Sequence, residues 1–282
     1  EKPLLDLLNE IADYQVAALR KSVGDSEASK DMAEGAGTVD KLFGELMALD
    51  QELGADLGLT AEGLRKSGRS EAMTAASVKK EWDAIKSAAY SDAAYTSILA
   101  NLQGMVDQLG ETSKMVLDPD LDSFYLVDAS LNASAQTLKS LAAIKSGTFE
   151  LLSANGNHIP ENKRTAFMLD EDAVEKFLLP HMKDSVNASI HNDAQFYGES
   201  PTLKSNLQPA LAAYEDGANK LLAAMKQLSA GESMTGAAFL ETADLMHDGA
   251  AELGGKVLDE LHGLINVRIV ALKDQRAETL WG

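Results

Sequence analysis

Two aspartate–histidine pairs have the spacing that most invites metal chemistry in this chain, Asp244-x-x-His247 and Asp259-x-x-His262. Residues three apart share a helix face, so each pair offers two ligands to one ion. A di-iron carboxylate centre needs more: Glu-x-x-His on each of two helices, plus two further glutamates. Here both pairs fall in one stretch and use the shorter Asp, so they read as solvated polar faces and no metal is expected. Nucleophilic chemistry has less support. There is no Gly-x-Ser-x-Gly elbow, no Cys, and no glycine loop followed by Lys-Ser/Thr to cradle a phosphate. Gly254-Gly255 sits inside a helical pattern, where it permits close helix approach or flexing. The expectation is a protein that is not an enzyme and carries no cofactor.

A third constellation is the run Leu117-Asp118-Pro119-Asp120-Leu121-Asp122-Ser123-Phe124-Tyr125-Leu126-Val127-Asp128. Pro ends a preceding helix and Asp caps the next, so this is a turn and a first helical turn bearing two aromatics. It has two readings. Its polar groups form a capping network that pins a tight interhelical turn, or Tyr125, Asp128 and Asn132 help line a small-molecule pocket between helices.

These residues are positioned by helices throughout. No segment alternates apolar and polar with period two, so no strand is expected. A first helix runs from Pro3 to Ser22 on Leu4, Leu8, Ile11 and Leu19. A second runs from a Ser26 cap to Leu57, and others carry Met73, Val78, Trp82 and Ile85, then Ile98 to Val116 after a cap at Ser91-Asp92. After the acidic turn a helix runs from Asp122 to Ser153, ending at Asn155-Gly156-Asn157. Helical segments follow over 160–198 and 201–228, each kinked or interrupted by its Pro180 or Pro209. The last helix, 235–279, steps through Phe239, Ala243, Met246, Ala250, Leu253, Val257, Leu261 and Leu264, a bundle seam sustained over many turns. At 1.5 Å per residue it spans roughly 65 Å, longer than one compact four-helix bundle. The predicted fold is all-α and elongated: one domain over 1–282, with helical parts 1–117 and 120–282 stacked as two four-helix-bundle modules that share long helices.

Composition limits the partners. The chain has 282 residues, 45% apolar and 24% charged, with 25 Lys+Arg against 44 Asp+Glu and a formal net charge of -19. Such a field repels phosphate backbones, so nucleic-acid binding is disfavoured. Absence of Cys excludes disulfides, thiolate metal sites and covalently attached haem. No apolar run approaches the roughly 20 residues that span a bilayer. The chain opens at Glu1-Lys2-Pro3 inside a helical pattern and stops at Leu280-Trp281-Gly282, which is read as excision from a longer protein, with Trp281 suited to a membrane interface.

The string Asp118 to Asp128 resembles the Asp-Pro-Asp-x-Asp-Ser-Tyr-Tyr-Leu-Met-Asp signature in periplasmic domains of methyl-accepting chemotaxis proteins and related sensor histidine kinases. Lys2-Pro3-Leu4-Leu5-Asp6-Leu7-Leu8 resembles the entry after the first membrane helix of such receptors, and Leu261 to Leu272, with Ile265, Arg268 and Ile269, the approach to the second. The resemblance implies a helical bimodular sensor in the periplasm, anchored in the inner membrane by flanking transmembrane helices. It further implies a homodimer that binds a small molecule or a ligand-loaded periplasmic binding protein. Relatives carry His-Arg-Gly where Tyr14-Gln15-Val16 stand here, and the nearest cation is Arg20. A pocket between helices is expected to use Tyr14, Arg20, Tyr125, Asp128 and Asn132, the polar residues beside apolar stripes. Two other classes are a scaffolding bundle without a pocket and a cytoplasmic metal-storage bundle.

Overall fold

The computed structural model describes the backbone of residues 1–281 and the side chains of residues 1–277. The side chain of Trp281 lies outside the described residues. All regular structure among them is helical: α1 (Lys2–Ser22), α2 (Ala28–Leu53), α3 (Ala61–Lys66), α4 (Ala75–Ser87), α5 (Asp92–Thr112), α6 (Leu121–Val127), α7 (Ala135–Ala154), α8 (Glu161–Ala173), α9 (Leu179–Asn192), α10 (Leu203–Ser229) and α11 (Gly236–Trp281). No helix among the described residues is long and apolar enough to cross a membrane.

The apolar spacing explains these elements. Leu4, Leu7, Leu8, Ile11, Ala18 and Leu19 bury one wide face of α1, and Pro3 fits its first turn because the missing N–H has no partner there. Seven α11 residues from Phe239 to Leu261 at steps of four and three are fully buried. That is the seam the sequence predicts. Beyond Leu264 the helix emerges: Val267, Ile269, Val270 and Leu272 are exposed.

Several boundaries differ from expectation. α2 stops at Leu53 rather than Leu57, and its first turn has no side-chain cap from Ser26. α5 ends at Thr112, short of Val116, because Lys114 turns left-handed with φ 59°. The Asp122–Ser153 helix is interrupted by a π turn at Asp128–Ser134. A second π turn, Val174–Leu178, precedes Pro180, where the ring would otherwise strike the carbonyl one turn back. The Leu178 carbonyl in that turn accepts a hydrogen bond from Tyr214 Oη at 3.1 Å. Pro209 is instead absorbed within α10.

One continuous apolar core links all the long helices. α1 packs against α2, α5, α7 and α11, and α11 packs against α7 and α10. Polar contacts give the directions. Asp13 meets His247, and Glu1 lies near His262, so α1 and α11 run antiparallel. Asn206 meets Glu260, while Gly217 lies against Leu245, so α10 and α11 are also antiparallel.

That last contact is close. A Cβ on Gly217 would stand 2.5 Å from the Leu245 carbonyl oxygen, and one on Gly249 would stand 2.9 Å from the Tyr214 Cα. Gly217→Ala is therefore expected to destabilise by about 1–3 kcal/mol through overpacking, although Ala favours an isolated helix over Gly by about 1 kcal/mol. Urea unfolding measures the difference. An unchanged or raised midpoint would mean that the two backbones do not approach this closely.

Candidate functional site

Asp6, Asn9, Glu10 and Asp13 recur on one face of α1 at steps of three, one and three. Across from them α11 presents Asp244, His247, Ala251, Gly254 and Leu258 at steps of three and four. Because the helices are antiparallel, the two faces form one seam, closed at one end and open at the other.

The closed end is built around Lys145 of α7. This lysine occupies a position in the stripe Leu138, Ala142, Lys145, Phe149, Leu152, where the helix period calls for an apolar residue. Its side chain is 1% exposed, and Nζ lies 2.7 Å from Asp244 Oδ1 and 3.0 Å from Asp13 Oδ1. Burial alone would lower the lysine pKa, but the two carboxylates outweigh it and hold the value raised. His247 is fully buried beside them, with Nδ1 3.4 Å from Asp13 Oδ1. Neither ring nitrogen has a hydrogen-bond partner. Burial, then the Lys145 charge, pushes its pKa down to about 4. The solvated polar face expected for Asp244-x-x-His247 is thus wrong for the histidine, because α1 and α7 cover it. Asp259 and His262 are exposed, as that reading has it. No three His, Asp or Glu among the described residues converge closely enough to hold a metal ion.

The open end is a groove of about 200 Å³. Asp6, Asn9 and Glu10 line one side, Gly254 and Gly255 lie across it, and the aliphatic walls include Leu42 of α2 and Leu138 of α7. The pKa values of Asp6 and Glu10 are both raised, chiefly by burial, with Glu45 and Asp13 respectively adding like charge. Lys2 only partly offsets this at Asp6. Asp248 is raised as well, by burial and then by Asp13 and Asp244. Carboxylates outnumber cations along the seam.

The residues singled out in the sequence lie in three separate places. Tyr14 is in the aromatic core, edge-on to Trp82 at 4.8 Å between centroids and 6.4 Å from Tyr95. Arg20 closes the α1–α2 turn through Asp25 at 2.6 Å and Asp31 at 3.0 Å. Asp128 and Asn132 do come together, in the first π turn. Asp128 accepts from Asn132 Nδ2 at 2.8 Å and from Ser185 Oγ at 2.6 Å, and pairs with His181 Nε2 at 2.9 Å. Burial opposes the Asp128 charge, but these partners prevail and its pKa is lowered. Tyr125 is half-buried against Phe124, 5.3 Å between centroids. The five residues therefore do not enclose one pocket, because α1 offers Tyr14 to α4 and α5 while Asp128, with Asn132 bonded to it, engages α9.

Asp6, Asn9, Glu10 and Lys145 escaped the sequence reading. Two signals for them were present: the polar stripe on α1, and a lysine set within an apolar stripe.

The acidic turn reaches a distant partner. Asp118 Oδ1 accepts the Asp120 backbone N–H at 3.0 Å, which closes the turn. Arg268 of α11 then pairs with Asp118 at 3.0 Å and with Asp120 at 2.6 Å, and donates to Ser123 Oγ. The turn is pinned as the first reading expects, but by ion pairs to the last helix and not by a helix cap, since Asp120 at the start of α6 makes no side-chain cap hydrogen bond. Both aspartates are largely shielded, so Arg268→Met leaves two poorly solvated carboxylates side by side. The expected loss is about 2–4 kcal/mol, at the lower side of buried-pair disruption because water still reaches the arginine. Chemical denaturation tests it, and a loss below about 0.5 kcal/mol would mark the contact as an ordinary surface pair.

No protein-family model, curated protein or solved structure matches this chain.

Proposed function

We propose that this chain is the extracytoplasmic signal-sensing domain of a transmembrane chemoreceptor or sensor kinase. A small molecule, or a binding protein carrying one, is read out as a displacement of α11. The observation that carries this reading is α11 itself. One unbroken helix lines the groove at Gly254-Gly255, meets the acidic turn at Arg268, and continues past the core with apolar residues exposed. A ligand that widens or tightens the seam acts on the helix that leaves it. Packed helices have discrete alternative arrangements, so a shift of 1–2 Å at a site propagates as a rigid displacement.

In this reading the chain is two four-helix modules. One is built on α1, α2, α4 and α5, the other on α6–α7, α8–α9, α10 and α11, and they are stacked through the contacts of α1 with α7 and α11. The resemblance of the acidic turn to chemotaxis receptors and sensor kinases supports an inner-membrane setting, flanking membrane helices and a homodimer. The large acidic excess supports partners other than nucleic acid.

Thermal unfolding against organic acids, amino acids and amines tests the sensing role. One compound class should raise the midpoint and slow amide exchange in α1 and α11. A panel in which nothing does so, or in which protection falls only elsewhere, contradicts it.

A further inference from the structure

We infer that the groove between α1 and α11 binds an organic ammonium ion with a compact apolar body. This deepens the sensing role proposed above and rests on it.

On the polar side of the groove, the groups left to receive a ligand are acceptors. Asp6, Asn9, Glu10, Thr38 and Ser134 line it. The Thr38 and Ser134 hydroxyls already donate to the Glu34 and Ala129 carbonyls, and the Asn9 amide N–H donates to Glu10. The Asn9 carbonyl oxygen is buried without a hydrogen-bond partner. An alkylammonium group presents three N–H donors and no acceptor, which matches that set. No Lys, Arg or His lines the groove, so an anionic ligand would meet two carboxylates with no counter-charge on the lining. Burial raises the pKa of Asp6 and Glu10, and Lys2 only partly offsets this at Asp6, so their charged forms carry a desolvation cost. A cation placed between them relieves it.

The remaining surface selects among cations. Leu5, Leu42, Leu138, Ala250 and Leu258 make the rest of the lining mostly aliphatic, which suits hydrocarbon rather than a hydrated metal ion. A cavity of about 150 Å³ accepts benzene, so 200 Å³ holds a ring or short chain with one charged group. The net charge of -19 adds a field that concentrates cations near the surface.

Gly255 supplies a way to close the groove without disturbing the fold. It lies on the lining, and a Cβ there would meet nothing within 4 Å. Leucine at this position fills the groove and favours the helix over glycine.

The test is calorimetric titration of the whole chain with benzylamine, and with benzyl alcohol as its neutral counterpart. Benzylamine should bind and benzyl alcohol should bind at least tenfold more weakly. Asp6→Asn and Glu10→Gln should each weaken benzylamine about 10- to 100-fold, the range for losing a hydrogen bond to a charged group. Gly255→Leu should abolish binding while the unfolding temperature holds or rises. Equal binding of amine and alcohol, or wild-type affinity in Gly255→Leu, overturns the inference, as does a failure of benzylamine to bind. If an organic acid protects α1 and α11 from exchange while benzylamine does not bind, the ammonium assignment falls and the sensing role stands. If nothing protects them, both fall.

Discussion

Replacing both Asp13 and Asp244 with alanine is expected to cost about 3–5 kcal/mol, the range for stranding one partner of a buried ion pair. The reason is Lys145, which is 1% exposed and meets those two carboxylates at 3.0 and 2.7 Å. Each aspartate is itself almost half exposed, so it can recover water when the lysine is removed. The lysine cannot. Lys145→Met alone should therefore be close to neutral, since methionine fills a similar volume without a charge. Added to the double alanine variant, it should restore most of the lost stability. Guanidinium unfolding of the four proteins makes a closed cycle. If Lys145→Met fails to rescue, the penalty came from the aspartates' own contacts and the buried lysine is not the centre of this end of the seam.

A second large effect follows from His247. Its pKa in the folded protein is about 4, below the ordinary value of 6.5. Between those values the unfolded chain binds the proton and the folded chain does not. The stability linked to this group is therefore complete above about pH 6.5 and is lost as the pH falls towards 4. By pH 4 the loss is about 3 kcal/mol, at 1.36 kcal/mol per unit. Asp6, Glu10 and Asp248 work in the opposite direction, because their raised values favour the folded state on acidification. Subtracting the profile of His247→Leu cancels those shared contributions. The wild type should lose about 3 kcal/mol more than this variant between pH 6.5 and 4, measured by denaturant unfolding at each pH. Parallel profiles would mean that the histidine is already solvated or protonated in the native state.

Helices were legible wherever a stripe repeats. α1 and the buried steps of α11 from Phe239 to Leu261 follow from spacing alone, because burial of one helix face fixes the period. The π turns were not legible. Asp128–Ser134 differs from an ordinary helix by one hydrogen-bond register, which leaves no mark on the apolar spacing. Pro180 did announce a disturbance, but not that a widened turn would accommodate it while Pro209 passes without one.

The site was legible only in fragments. Asp128 and Asn132 share a helix face, and their meeting needs no tertiary information. Whether Tyr14 and Arg20 join them depends on which helix α1 packs against at those heights. That is a property of chain topology, and spacing within one helix does not contain it. His247 illustrates the same gap: its own helix reads as half polar, and its burial comes from α1 and α7. Lys145 is the converse case, since an apolar stripe interrupted by one lysine signals a buried charge before any partner is known.

The most direct test of the central claim is a distance measured across the seam. Lys41 of α2 and Asp259 of α11 are both exposed, and the chain has no native cysteine to compete with introduced ones. Spin labels at Lys41→Cys and Asp259→Cys report the position of α11 relative to the other wall of the groove. Saturating benzylamine should shift the mean distance by about 1–2 Å, the scale of helix displacement in switching proteins, and Gly255→Leu should remove the response. An unchanged distance in a protein that calorimetry shows to be fully occupied would contradict the account, since α11 would then be a fixed wall and not the output of the site.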